Sequence, residues 1–286
     1  MKTDNVKALK NVPMFKEETV WGKVRGYVIP VVSLLFFVLL WEGFARSGLV
    51  DMRLLPPPSE VFETLWELSG PGDGERPPYL MLQHTMYTLY RLVVGYLICV
   101  VLCTALGLLL GINQRVYEWV NPIVAFFMPI PSFTLVFVVI LWLGLGSKTV
   151  IVTVVLGASF PIIYNAAAGV RSAQQKMIWA AQLMGCSRFQ VFFKVLLPGA
   201  MGYIIAGQKL ALGRAWRAVI GGEIFASTSF GLGFMIHDAS TFLDTRAMFA
   251  AIITVGITGL IMENLLFSYV EKFTVIRWGM VTSKKL

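Results

Sequence analysis

Six stretches of the chain are apolar over the length that a helix needs to cross a bilayer. They cover residues 27–45, 88–111, 120–143, 149–170, 200–225 and 247–269. Hydrocarbon about 30 Å thick takes roughly 20 helical residues. Lipid offers the backbone no hydrogen-bond partners, so helices are the expected form. The pattern predicts an all-α membrane protein with about six transmembrane helices. It divides the chain into an N-terminal tail 1–26, a membrane domain 27–272 and a C-terminal tail 273–286. The 26 residues before the first run are largely polar, and no small-x-small cleavage site follows it, so Tyr27–Phe44 reads as a retained span.

Breaks in the pattern are informative. Pro129-Ile-Pro131 interrupts the third run and Pro161 the fourth. Each proline removes a backbone donor and kinks a helix. In a passive anchor such prolines are merely tolerated; in a transporter they shape a cavity. Gly107-Leu-Leu-Leu-Gly111 in the second run permits close helix packing. Residues 46–84 hold Pro56-Pro57-Pro58 and a second Pro/Gly cluster over 71–78, both turn signals. Between them Ser59–Trp66 reads as a short helix with Ser59 as its N-cap.

Composition agrees with a membrane location: 57% of residues are hydrophobic and 14% charged, against about 25% charged in soluble domains. The net charge is +8. No basic stripe with interleaved aromatics stands outside the apolar runs, which argues against nucleic-acid binding. The cations instead cluster by loop. Residues 1–26 carry six, 171–198 carry Arg171, Lys176, Arg188 and Lys194 without an acid, and residues 272–286 carry four. Residues 46–84 carry three arginines against six acids. Positive charge marks the cytoplasmic side, so both termini and 171–198 are expected inside and 46–84 outside.

Candidate chemistry is sparse. Cys99 and Cys103 share a helix face, and with Cys186 they read as buried small residues, since two thiols without a nearby histidine make a poor metal site. His84 and His237 fall in or near outer loops and read as interfacial polar groups. Glu42 and Glu263 lie near span ends, where pairing or capping is expected. Gly146-Ser-Lys-Thr149 lacks the first glycine and the Gly-Lys pair of a phosphate-binding loop. Arg214 and Arg217 are different, because they fall well inside the fifth run. Buried arginines face a cavity or a partner rather than lipid. One reading pairs them with Glu223, Glu263, a second subunit or carbonyls freed by the prolines. The other has one of them attract an anionic solute.

The cytoplasmic segment 172–198 is the most distinctive. Trp179-Ala-Ala-Gln-Leu-Met-Gly185 followed by Val195-Leu-Leu-Pro198 suggests a helix, a glycine turn and a second helix leading into the membrane. Gly185 can take the left-handed conformation that ends a helix. The spacing of Ala180, Ala181, Gly185, Leu197 and Pro198 resembles the EAA loop of bacterial binding-protein-dependent ABC importer permeases. Trp179 stands where that loop usually has glutamate. Leu54–Val61 resembles the outer-loop LPSPxxV of the nitrate/sulfonate/taurine group. Met128-Pro-Ile-Pro131, Leu141–Gly146, Ala211–Trp216 with Glu223, Gly231–Phe234 and Arg277-Trp278 also fit, in order, across roughly 50–280.

The resemblance implies a type I ABC importer permease fold in a bacterial inner or plasma membrane. It implies two permease copies, two cytoplasmic ATPase subunits docked on the EAA loops, and an extracytoplasmic solute-binding protein. ATP and magnesium would be held by the ATPases and no cofactor or metal by this chain, which would not itself be an enzyme. The solute would be a small anion such as nitrate, bicarbonate or an organosulfonate. Arg214, Trp216, Arg217 and Glu223 are the candidate pathway residues. The competing reading is a secondary transporter or channel without an ATPase partner. The orientation is checked by thiol labelling: a cysteine near Asp73 should react with an impermeant reagent from outside, and one near Gln190 only after the membrane is breached. The reverse pattern inverts the topology.

Overall fold

The computed structural model describes residues 20–72 and 77–273, with side chains over 28–72 and 77–263. The N-terminal tail before Val20, Asp73, Arg76, Arg277 and Trp278 lie outside the described residues. Every regular element among the described residues is helical. The chain forms two compact units, 1–60 and 61–286.

The first unit holds helix α1, Val20–Arg46, which begins seven residues before the expected span. Its apolar side chains, among them Val31, Phe36 and Leu39, are exposed, as suits a lipid-facing helix. Near its end Glu42 accepts a hydrogen bond from Arg46 Nε at 2.5 Å and from the Ser59 amide at 3.1 Å. Glu42 therefore pairs and caps, as its position suggests. Ser59 is not the N-cap: helix α2 is Pro58–Ser69, starting one residue earlier. Proline suits a first helical position because its missing N–H would have no partner there.

The second unit is built around α6, Ser147–Arg171, whose apolar window is 61% buried against 28% or less for the other spans. On one side lies α3, Leu80–Ile112. Gly107 and Gly111 let the two backbones close. A Cβ at Gly107 would sit 2.7 Å from the Ile163 carbonyl oxygen, and one at Gly111 would sit 2.5 Å from Val170 Cβ. Cys99 and Cys103 are buried on the same face of α3. On the other side of α6, Gly169 and Gly207 admit α9, Leu197–Ala226, in the same way.

The third apolar run is not one straight span. Helix α4, Gln114–Phe127, and the segment Ser132–Leu143, which contains α5, Val136–Leu143, meet at 95°. Pro129 and Pro131 cannot donate to the carbonyls one turn back, so the helix cannot continue through them. Pro161, by contrast, is absorbed within α6.

After α6 come α7, Gln175–Leu183, and α8, Arg188–Val191. A π-helical turn, Phe192–Leu196, joins α8 to α9. Pro198 has no N–H to offer, and the Leu197 amide reaches back five residues to the Phe192 carbonyl. Arg188–Ala226 thus runs as one helical rod of 39 residues. That is roughly 58 Å long, nearly twice the hydrocarbon thickness. The helix that carries the fifth span therefore begins in the hairpin, ahead of Pro198. Helices α10, Leu232–Thr241, and α11, Thr245–Phe273, follow. One end of this unit gathers α2, α10 and the starts of α3 and α11 around a cavity of about 710 Å³. The α7–α8 hairpin marks the other end. Gly107→Val should lower the thermal midpoint in detergent, at a cost of about 1–3 kcal/mol or more for overpacking; an unchanged midpoint would mean that the close approach of α3 and α6 is not needed.

Candidate functional site

Three features of the second unit bear on function, and all lie on or beside the 39-residue rod. The first is a cavity of about 280 Å³ at the 95° elbow. The elbow residues Met128–Phe133 form one wall, and Leu156, Gly157 and Phe160 of α6 form another. Arg214 and Arg217 of α9 complete the lining. The prolines and the arginines, far apart in the chain, thus meet at one place. Arg214 is half-buried, and its Nη1 donates to the Met128 carbonyl at 3.3 Å, a carbonyl at the broken helix end. Arg217 is exposed, and among the described residues it has no hydrogen-bond or ion-pair partner.

Trp216 and Glu223 do not join them. Trp216 turns toward α11, where a Cβ on Gly259 would lie 2.6 Å from its Nε1. Glu223 pairs with neither Arg214 nor Arg217. Its partner is Arg91 of α3, with Nη1 to Oε1 at 2.7 Å and both side chains at most 1% exposed.

This pair is the second feature. Glu223 also accepts from Thr88 Oγ1 at 2.8 Å and from the Gly233 amide at 3.0 Å, at the start of α10. Arg91 donates further to the Phe230 carbonyl at 2.7 Å and to Ser147 Oγ at 3.1 Å. The Leu232 amide donates to Thr88 Oγ1 at 2.8 Å. A buried charge is tolerable only when paired and hydrogen-bonded, and here the carboxylate takes three bonds while Arg91 donates three, through Nε and Nη1. The fit needs glycines. At Gly231, φ is +141°, and a Cβ would lie 2.5 Å from Glu223 Cδ; at Gly233 it would lie 2.4 Å from the Ile220 carbonyl oxygen.

His84 belongs to this assembly rather than to a loop. The helix α3 starts at Leu80, eight residues before the apolar run, and places His84 inside it, buried. Its Nδ1 lies 2.8 Å from the Gly231 carbonyl oxygen, and its ring packs against Phe230 and Phe234. The polar stretch Gln83-His-Thr85 hid this helical turn from the hydropathy pattern. Arg91 carried a signal that the sequence reading passed over: a cation inside an apolar run with no acid one turn away.

The third feature is the hairpin. Gly185 takes φ +80° and ends α7, with the Cys186 amide bonded to the Ala181 carbonyl at 3.1 Å. Ser187 then caps α8 in a reciprocal arrangement with Gln190. The expected helix, glycine turn and second helix are therefore present. Ala181 is buried against its own chain, while Ala180 faces outward. Trp179 is 57% exposed and Leu183 89%, and Met184 and Phe189 are exposed beside them. Leu197 and Pro198 are half-buried where the rod leaves the hairpin.

Comparison with known proteins decides the family. Residues 103–273 match the model of the binding-protein-dependent transport system inner membrane component family. The chain belongs to this family. Its relatives include the taurine transport system permease protein TauC of Escherichia coli, 32% identical over 85% of this chain and 87% of that one. The aliphatic sulfonates permease protein SsuC of Bacillus subtilis is 28% identical over 91% and 89%. The bicarbonate permease protein CmpB of Synechocystis is 29% identical over 85% and 88%. Among solved structures, the MetNI methionine ABC transporter in inward-facing form matches with a TM-score of 0.57 at 20% identity, covering 66% of this chain and 93% of that one. This likeness carries the fold: a type I ABC permease bundle. The permease is a multi-pass membrane protein and a transport subunit.

The buried pair is the permease's most exacting polar contact. Arg91→Met alone strands the Glu223 carboxylate and should cost about 3–5 kcal/mol, whereas Arg91→Met with Glu223→Gln should recover much of that. Thermal unfolding of both variants in detergent is the check; equal losses in the two would show that the pair carries no coupling.

Proposed function

We propose that this permease, as one of two identical copies, lines the pathway of an ATP-driven importer for a small anion in a bacterial inner membrane. Two cytoplasmic ATPase subunits dock on the Gln175–Val191 hairpin, and an extracytoplasmic binding protein delivers the solute to the opposite face. Both termini lie in the cytoplasm. ATP and magnesium act in the ATPases, whose closure turns the pathway outward and whose hydrolysis resets it. Family membership supports the assembly, and the distribution of lysine and arginine supports the orientation.

The observation that carries the anion is Arg217. It is an exposed guanidinium on a membrane-spanning helix, beside a cavity, without a partner among the described residues. A charge so placed faces a cavity or another subunit, because lipid contact is costly. The relatives named for taurine, sulfonates and bicarbonate take solutes that carry a sulfonate or carboxylate-like charge, which a guanidinium holds through paired N–H donors. Arg214, already bonded to the elbow, adds positive potential. Trp216 supports α11, and Glu223 serves the buried pair rather than the solute.

The hairpin fits a docking element. It exposes Trp179, Leu183, Met184 and Phe189 at the end of the bundle assigned to the cytoplasm. Trp179 replaces a usual glutamate, so the contact there is apolar rather than ionic.

Two variants test the reading in the assembled, reconstituted complex. Arg217→Ala should abolish ATP-dependent solute uptake while the complex still forms and hydrolyses ATP. Normal uptake would remove Arg217 from the pathway, and failure to assemble would make it an interface residue. Gly185→Val places a β-branched side chain at φ +80°, which L residues avoid. The ATPase should then dissociate or uncouple with membrane insertion intact; unchanged transport and ATPase binding would refute the docking assignment.

A further inference from the structure

The 39-residue rod Arg188–Ala226 carries the hairpin at one end and Glu223 three residues from the other. Beyond Ala226 only five residues, Ser227-Thr-Ser-Phe-Gly231, separate the rod from α10. Such a composition would ordinarily make a slack joint, because Ser and Gly hold little conformational preference. Here the joint is pinned from all sides. Arg91 Nη1 donates at 2.7 Å both to Glu223 on the rod and to the Phe230 carbonyl in the joint. Glu223 takes the Gly233 amide, and Thr88 takes the Leu232 amide. Ser227 Oγ lies 3.2 Å from the same Phe230 carbonyl. The two glycines bring the joint so close to Glu223 that a single Cβ would not fit.

We propose that Arg91, acting through Glu223, is a positioning residue that makes the outer end of the rod and the start of α10 one moving part. A displacement of the hairpin is then delivered to α10, which lines the outer cavity of about 710 Å³ with Phe234, Met235 and Asp238. The physical requirement is stiffness. The rod is stiff because its backbone bonds are internal, and the joint is stiff because its amides and carbonyl are held by buried, charge-assisted bonds. Arginine suits the place because its planar fork makes three separate bonds, to Glu223, Phe230 and Ser147. A lysine ammonium is a compact point charge and cannot span them. The proposal rests on the reading of the hairpin as the ATPase dock.

The test uses the complex purified with its ATPase, in a background with Cys99, Cys103 and Cys186 replaced. Ser229→Cys sits at an exposed position in the joint. Its maleimide labelling rate is compared between the nucleotide-free complex and the complex trapped with ATP and vanadate. With Arg91 intact, the two rates should differ by about threefold or more, as a two-state change of exposure requires. Arg91→Lys and the near-isosteric Thr88→Val, which removes the bond to the Leu232 amide, should each abolish that difference while ATP hydrolysis stays within about twofold of the parent. A difference that persists in both variants overturns the proposal. So does a parallel fall of hydrolysis or assembly, which is what a merely structural role produces. Hydrogen exchange on the unmutated complex decides independently of folding: the Leu232 and Gly233 amides should stay protected in both states, and free exchange in either sinks the idea. If the unmutated chain captures no ATPase at all, the functional reading fails instead, and the exchange measurement still reports on the joint.

Discussion

A guanidinium and a carboxylate buried inside an apolar helical bundle set the terms for the rest of this structure. Neither charge is tolerable there alone, so every lone pair and N–H around Arg91 and Glu223 has to be met by protein. Meeting them draws together α3, the start of α6, the end of α9 and the turn into α10. It also explains the glycines at 231 and 233, which stand where any side chain would collide with the pair. The close glycine-mediated contacts of α3 and α9 with α6 then become geometric companions of the same arrangement, since they bring residues 91 and 223 within reach.

The buried pair throws Arg217 and the hairpin into relief. Arg91 has three hydrogen bonds, the face of the Tyr87 ring beside it and no exposure worth the name. Arg217 lies six residues before Glu223 on α9 and is left open beside the elbow cavity. The hairpin likewise leaves Trp179 and Leu183 uncovered where a lone subunit would gain by burying them. Groups left unsatisfied on an otherwise well-satisfied scaffold are where a solute or a partner is expected to bind.

Much of the architecture was legible from periodicity alone. The apolar runs located the spans, although the helices that carry the first, second and fifth begin seven, eight and twelve residues earlier, and Gly107 with Gly111 correctly marked a close approach. Gly185 announced the turn it makes. The proline pair announced a break, though not that the break would turn by 95°. What the pattern concealed was long-range pairing. Arg91 and Glu223 are separated by more than a hundred residues, and no local rule connects them. The polar turn at Gln83–Thr85 looked like loop because Gln83 and Thr85 bond to nearby carbonyls, while His84 is met by the Gly231 carbonyl, a partner invisible until the chain is folded. Of the four residues expected to share a pathway, Arg214 and Arg217 line one cavity, while the neighbouring positions 216 and 223 point elsewhere around the helix. Helical phase, set by packing rather than sequence proximity, makes that division.

The most direct measurement is the composition and activity of the complex that this chain forms in the membrane. Affinity-tagged and extracted in mild detergent, the permease should emerge as two copies with two ATPase subunits. ATP hydrolysis should reside only in preparations that contain those subunits. A chain that purifies without any ATPase, yet moves solute when placed alone in liposomes, would contradict the account and make it a secondary transporter or channel.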